Sequence, residues 1–205
     1  PVLTQGFLEV QRWDAVTGVT LDEALAVINA APPVVPTTTF FVGSAAVPDQ
    51  GVDNFAIKMS GWISPTVSGD YHFFIRSDDA SALYLNEVAA VSGTNALPDL
   101  ISGSPIARED DCCDAFIEPD LFDPATTATP IPLVAGKLYG MTVVLKEGTG
   151  GDLVQVAWRL TTDTTAAATL PPIGGKNLYV VTSPSGKSAV ITTQPTPVTT
   201  IVGQK

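Results

Sequence analysis

The sequence has few basic residues, a single histidine and no recognisable catalytic motif. Lysine and arginine together number 10, against 21 aspartates and glutamates, which gives a formal net charge of -11. A chain this acidic offers no basic stripe to nucleic-acid phosphates, so we expect no nucleic-acid partner. His72 falls inside a predicted strand, which argues against a Ser-His-Asp relay, and no pair of acids stands out as a glycosidase pair. We therefore expect a binding module rather than an enzyme.

Long hydrophobic runs and a leader sequence are also missing. No run of about 18 apolar residues occurs, so we expect no membrane span. The sequence opens PVLTQG, without the basic and apolar regions of a signal peptide. If the protein is secreted, we expect this sequence to be its mature or excised form.

The residues that are present favour β structure. Hydrophobic residues make up 45% and charged residues 15%, with 17 glycines and 17 prolines. This composition is typical of a sheet protein with many turns. A chain of 205 residues is long enough for one large β domain with a tail. We expect a sandwich over residues 1–162, a strand and connection over 163–187, and a tail over 188–205.

Alternating apolar residues predict most of the strands. Residues 53–62 and 71–76 alternate on either side of a Pro- and Gly-containing turn, and residues 139–147 and 153–160 alternate on either side of GTGGD. Each pair predicts an antiparallel hairpin. Residues 2–10 alternate weakly and predict one further strand. The many short strands favour an all-β fold, a β-sandwich or a jelly-roll-like barrel.

One short helix is predicted near the start of the chain. Thr20 and Glu23 have the spacing of a capping box, and Leu21, Leu25 and Ile28 recur at helical spacing. Two prolines follow, and the Pro/Thr-rich stretch that continues to Thr39 predicts an irregular surface connection.

Asp78 and Asp79 lie where the predicted strand 71–76 ends and the next one begins. Neighbouring carboxylates repel each other unless water separates them or a cation binds between them. On the residues alone, the pair is either a solvated turn or a metal site. Likewise GTGGD is a glycine turn whether or not its Asp152 also binds metal.

The long segment over residues 92–130 has little periodicity, and loops of this length usually carry function. It contains adjacent cysteines, Cys112 and Cys113, which are either free thiols or bonded to each other. Zinc is disfavoured because no second Cys or His cluster accompanies them. The surrounding acids form either a second cation site or a hydrated acidic loop; they are Glu109, Asp110, Asp111 and Asp114.

The tail over residues 188–205 is apolar and β-prone. It predicts either a strand that pairs with a neighbouring copy of the chain or the start of a following immunoglobulin-like domain. This feature motivates an alternative function, a structural subunit of a surface filament or repeat protein that assembles through its terminal strand.

Four blocks in order resemble the PA14 domain over roughly residues 3–160. They are G-W-x-x-P-x-x-S-G-D-Y-x-F at 61–73, S-D-D-x-S-x-L-Y-L at 77–85, L-x-A-G-K-x-Y at 133–139 and K-E-G-x-G-G-D-x-x-x-V-A-W at 146–158. The resemblance implies a β-sandwich module of an extracellular or cell-surface protein. Many members of that family bind carbohydrate, and others serve in protein assembly or have unknown roles.

The lectin branch of the family implies particular site residues. There, two consecutive aspartates joined by a cis peptide hold a calcium ion that binds vicinal sugar hydroxyls, and Asp78 and Asp79 match that pair. Gly150, Gly151 and Asp152 match the second loop of the metal site. Fungal relatives place a vicinal disulfide beside the sugar, which Cys112 and Cys113 match. The resemblance thus implies a calcium-dependent adhesin whose partners are cell-surface or matrix glycans, and an accessory module of a hydrolase is a third alternative.

Overall fold

A computed structural model describes residues 2–86, 97, 99–120 and 122–182. The sequence after Leu85 predicts a tight turn and then a further strand at residues 88–91. That strand, the tail at 188–205 and the predicted pairing of the tail with a neighbouring copy lie outside the described residues. Among the described residues there is no helix whose length and hydropathy suit a membrane span.

The protein is an all-β sandwich of two antiparallel sheets, as predicted. In the described part of the chain the sheets do not close into a barrel. The large sheet has the order β1-β12-β5-β10-β7-β8, with β2 pairing β5 and β3, and the small sheet has the order β4-β11-β6-β9. The strands are β1 (Val2–Gln5), β2 (Leu8–Asp14), β3 (Thr38–Val42), β4 (Ala46–Val47), β5 (Phe55–Ile63), β6 (Gly69–Asp78), β7 (Ser81–Leu85), β8 (Ala107–Glu109), β9 (Ile131–Leu133), β10 (Tyr139–Glu147), β11 (Leu153–Leu160) and β12 (Leu178–Thr182).

The core lies between the two sheets and is built from alternate residues of their strands. Ile57 and Met59 of β5 and Phe73 of β6 are completely buried there, with Val143 and Val156 from the neighbouring strands. Each such side chain contributes about 1.5–3 kcal/mol through burial. This core fixes which side chains of each strand face inward. It therefore also fixes the orientation of the side chains at the strand ends.

Helix α1 (Leu21–Ile28) packs on the outer face of the large sheet, where Ala24 meets a small apolar cluster that includes Ala82 and Val144. Its N-terminus has the predicted capping box, since the Glu23 carboxylate accepts a hydrogen bond from the backbone N–H of Thr20 at 3.0 Å. The helix prediction is confirmed.

The outer face of the small sheet is covered by part of the long segment that precedes β9. The ring of Phe116 packs edge-on against Phe74, with centroids 6.3 Å apart. Glu118 forms an ion pair with Arg159 of β11 at 2.7 Å, and the Arg159 guanidinium stacks over the Phe74 ring. These contacts hold the segment against β6 and β11.

The two predicted hairpins are wrong. β5 pairs with β10 in the large sheet, and β6 pairs with β11 in the small sheet. The turn after β5 and the glycine loop after β10 therefore carry the chain from one sheet to the other. Alternation identifies which face of a strand is apolar, but it does not identify the strand's partner.

The N-terminal strand prediction is also corrected. Gly6 has φ of 110° and separates β1 from β2, so residues 2–10 do not form one strand. β3 begins within the stretch predicted to be irregular. Within the 163–187 region, Leu178–Thr182 form β12, which lies between β1 and β5 as an integral part of the large sheet.

Candidate functional site

Two connections between the sheets meet at one end of the sandwich. The first connector, residues 78–81, joins β6 to β7, and the second connector, residues 147–153, joins β10 to β11. Asp78 is the register partner of Leu153 in the small sheet, and Ser81 is the partner of Leu145 in the large sheet. The two connectors therefore lie side by side as they cross between the sheets.

Three carboxylates converge where the connectors meet. One oxygen each from Asp78, Asp79 and Glu147 lie within 4.8 Å of one another. The peptide bond between Asp78 and Asp79 is cis. The Asp79 carboxylate accepts a hydrogen bond from the backbone N–H of Gly148 at 2.8 Å, which ties the first connector to the second. The Ser77 hydroxyl donates a hydrogen bond to the Asp79 carbonyl oxygen, which also holds the first connector in place.

Glu147 is completely buried, and neither of its carboxylate oxygens has a hydrogen-bond partner among the described residues. Burial, followed by the charges of Asp79 and Asp78, raises the pKa of Glu147 to about 8. Burial and the charge of Asp79 also raise the pKa of Asp78. Unpartnered buried carboxylates are costly in a protein interior. A cation among these oxygens would remove both the missing contacts and the mutual repulsion.

The neighbouring Lys146 does not fill that position. Its side chain is fully buried on the face of β10 that lies beneath helix α1, and its ammonium donates to the backbone carbonyl oxygen of Glu147 rather than to the carboxylate. Burial lowers the pKa of Lys146. The oxygen-only donor set of three carboxylates suits a hard divalent cation, and calcium prefers such ligands.

The glycines of the second connector lie against the first connector. Gly150 has φ of 121°, and its N–H donates to Asp53 at 3.3 Å. A methyl group on the α-carbon of Gly151 would stand 3.2 Å from the Oδ2 atom of Asp78, so only glycine leaves that carboxylate unobstructed. Both residues thus border the carboxylate group, although their contacts are made by backbone atoms.

Asp152 is placed differently from the other predicted ligands. Its side chain is only 4% exposed, and its Oδ1 accepts a hydrogen bond from the backbone N–H of Gln50 at 2.6 Å. Its Oδ2 has no partner in the described part of the chain, and it does not join the three-carboxylate group. Burial raises the pKa of Asp152, and its charge contributes to the raised pKa of Glu147.

Cys112 and Cys113 form a disulfide with an S–S distance of 2.12 Å, which borders the same carboxylates. Both sulfurs lie within 4.8 Å of an Asp78 carboxylate oxygen. The backbone N–H of Cys113 donates to the Ser77 carbonyl oxygen at 2.9 Å. This bond fixes the disulfide beside the first connector, where it forms one wall of the site.

The other candidate residues have local roles. Asp110 pairs with Arg108 at 2.9 Å, and Glu109 accepts a hydrogen bond from Asp111, so the acidic run bonds within itself. Within the described residues, these acids and Asp114 do not form a metal-binding group. His72 bonds through Nδ1 to the Thr127 carbonyl oxygen at 2.6 Å, which holds the covering segment to β6.

Glu147 is the site residue that sequence reasoning missed. A Lys-Glu pair at the end of a strand is typical of a solvated strand end. Its position in the alternation was the available signal, because Val143 and Leu145 occupy the same face of β10 and both point into the core. The next inward-facing position of β10 is 147. A carboxylate there must either be buried or bind a partner such as a cation.

Gly151→Ala is expected to weaken cation binding about tenfold, because the added methyl would crowd the Asp78 carboxylate at 3.2 Å. Gly174→Ala is the matched control, since a methyl there meets nothing within 4 Å and its φ lies outside the left-handed region. Calorimetric titration of calcium into each variant measures the difference. Equal affinity in both variants would show that the Gly151 backbone does not border the cation.

The fold and these connectors define an antiparallel β-sandwich module with an acidic site between its sheets. The sequence pattern of the PA14 domain matches residues 33–168. The chain therefore belongs to the PA14 domain family. A search of curated protein sequences finds no match.

Solved structures with the same fold include several adhesin domains. The PA14 sugar-binding domain of an RTX adhesin is 13% identical, with a TM-score of 0.58, and the match covers 87% of this chain and 100% of that one. The A domain of epithelial adhesin 9 from Candida glabrata, solved with Galb1-3GlcNAc, is 11% identical with a TM-score of 0.60, covering 90% and 93%. The PA14 domain of the antifreeze protein MpAFP is 12% identical with a TM-score of 0.56, covering 88% and 93%.

Proposed function

We propose that this PA14 domain is a calcium-dependent carbohydrate-binding module that acts at a cell surface. The observation that carries the proposal is the buried Glu147, whose two carboxylate oxygens lack partners beside Asp78 and Asp79. Three crowded carboxylates destabilise a connection between sheets unless a cation binds among them. A site that binds a divalent cation needs them.

Asp78, Asp79 and Glu147 would hold the calcium, and Asp152 would add negative charge from beside it. Calcium takes six to eight oxygen ligands, so three carboxylates leave room for others. When bound, calcium supplies coordination positions to the hydroxyl groups of a sugar. Gly151 keeps the approach to Asp78 open. The disulfide of Cys112 and Cys113 offers a rigid apolar wall against which the carbon face of a sugar ring can pack.

Two further observations support the proposal. Relatives by fold include a domain named as sugar-binding and adhesin domains solved with Galb1-3GlcNAc and with beta-lactose. A disulfide persists in oxidising compartments, which favours an extracellular protein whose partners are cell-surface or matrix glycans. The alternative of a filament subunit depends on residues 188–205, which lie outside the described residues, and it stays a prediction.

The test is a calcium titration followed by sugar binding with and without chelator. We expect calcium to bind at one site and glycans to bind only when calcium is present. Asp70→Asn is the control for loss of a negative charge away from the site, because Asp70 is exposed at the opposite end of β6. Calcium binding without any glycan binding would leave a metal-stabilised scaffold, and glycan binding that survives chelation would overturn the calcium dependence.

A further inference from the structure

A groove runs along the edge of the sandwich, beside β8. Its first part has a volume of about 600 Å³ and its second part about 310 Å³, and the two share Ile106 and Ala128. None of the proposed metal ligands lines either part. The first part is lined by apolar and polar side chains together, including those of Phe122 and Asp123.

The walls of the groove are fixed to the sheets. On one side β8 pairs with β7, and the Arg108 N–H donates to the Pro124 carbonyl oxygen at 2.8 Å, which joins the two walls. On the other side Ala125 and Thr127 exchange backbone hydrogen bonds with β6 at 2.9 and 3.0 Å. The groove is therefore a built feature of the fold rather than a gap between loose loops.

Phe122 stands at this groove with 92% of its surface exposed. Its backbone N–H donates to the Asp120 carboxylate at 3.0 Å, so a local turn holds it in place. A single exposed apolar residue is ordinary on a protein surface. An aromatic ring beside carboxylates in a preformed groove is a different arrangement, because it combines a stacking surface with hydrogen-bond acceptors.

The groove begins close to the proposed metal site. Glu109 of β8 is the register partner of Ser81, the last residue of the first connector, and Arg108 at the groove follows one residue further along. With about 3.3 Å per residue and about 4.8 Å between strands, Arg108 lies roughly 6 Å from Ser81, and Asp79 is two further residues away along the chain. An oligosaccharide bound at the metal site can therefore reach into the groove.

The charges at the groove select against anionic ligands. Asp120 and Asp123 line it, and among the described lining residues the one cationic side chain, Arg108, is paired with Asp110 at 2.9 Å. A sugar with a carboxylate or sulfate would meet uncompensated negative charge, since like charges at close range repel. Neutral sugar hydroxyls can instead donate to these carboxylates.

We propose that this groove is a second subsite for a neutral oligosaccharide whose first sugar occupies the calcium site, with Phe122 stacking against a later sugar ring. This inference rests on the proposed function and extends it, because it names the ligand as an oligosaccharide rather than a single sugar. Recognition then depends on two separate features, the cation at the connectors and the aromatic ring at the groove.

The experiment compares Phe122→Ala with Phe41→Ala, whose aromatic side chain is 50% exposed on β3, far from the groove. Affinities are measured in calcium for mono-, di-, tri- and tetrasaccharides of galactose, glucose and mannose, and for lactose against its sialylated form. We expect affinity to rise with length for neutral sugars. We expect Phe122→Ala to lower tri- and tetrasaccharide affinity about tenfold and to leave monosaccharide affinity unchanged.

The outcomes distinguish failure of the oligosaccharide subsite from failure of the proposed function. If monosaccharides bind in calcium but affinity does not rise with length, or if Phe122→Ala behaves like Phe41→Ala, the subsite is overturned and the proposed function stands. Preference for the sialylated sugar would overturn the charge argument and with it the neutral ligand. If no sugar binds with calcium present, both the proposed function and the subsite fail.

Discussion

Asp79→Asn is expected to raise the calcium dissociation constant about 100-fold or more, because it removes one of the three carboxylates of the proposed calcium site. The asparagine keeps an oxygen that can accept the Gly148 N–H bond now made at 2.8 Å, so the connector geometry is preserved. Thermal unfolding provides the second readout. Calcium at 100 times its dissociation constant stabilises the wild-type protein by about 2.7 kcal/mol, and the variant should show almost none of that gain.

Asp70→Asn removes an equal charge at the exposed far end of β6, the strand that precedes Asp79, and we expect wild-type calcium affinity from it. A loss of equal size in both variants would mean that net charge, rather than the site, attracts the ion. If Asp79→Asn binds calcium normally, the convergence of the three carboxylates has no metal-binding role.

Glu147→Gln is expected to abolish calcium binding and at the same time to stabilise the calcium-free protein. The glutamine is nearly the same shape as a protonated glutamate and carries no charge to repel Asp78 and Asp79, which lie within 4.8 Å. We expect the free energy of unfolding to rise by about 1 kcal/mol, which is about 3 °C in melting temperature for a chain of this size. If Glu147 served stability alone, Glu147→Gln would instead lower the melting temperature of the calcium-free protein.

The pH dependence of this gain distinguishes its cause. The pKa of Glu147 is raised in the fold from 4.5 to about 8, so the protonated carboxyl contributes stability that is complete below pH 4.5 and lost as the pH rises through 8. In chelator, wild-type and Glu147→Gln proteins should therefore melt at similar temperatures near pH 5, and the variant should be more stable at pH 9. Glu9→Gln, on the large sheet away from the site, is the control for loss of a carboxylate elsewhere in the fold. A pH-independent difference would mean that packing, not charge, separates the two proteins.

Sequence patterns predicted elements well and their partners poorly. The alternation of β5, β10 and β11 and the capping box of α1 depend on neighbours in sequence, and all four elements form as predicted. Strand pairing depends on residues far apart, as in the register of β5 with β10. A glycine-rich loop predicts a reversal of the chain but not whether the returning strand joins the same sheet. β3 was not predicted because its exposed edge residues and its Pro/Thr-rich surroundings hide a weak alternation.

Only part of the candidate site was predicted, because its residues also come from distant parts of the sequence. Asp78 and Asp79 stand out because they are adjacent in sequence, and the structure brings them together with a residue 68 positions further along, Glu147. Nothing local to Glu147 indicates that β10 ends beside β7. The position of Asp152 against Gln50 likewise depends on a loop that enters from β4.

The segment between Ile106 and Thr127 begins and ends on backbone hydrogen bonds to β7 and β6, at 2.8 and 3.0 Å. Its two anchors belong to the scaffold, whereas the disulfide and Phe122 lie between them. Substitutions of exposed residues in this segment, such as Phe122, can change the surface beside the carboxylates while the anchors and the pairing of β8 with β7 stay in place. Such an arrangement resembles an antibody framework, which carries its binding loops on a fixed scaffold.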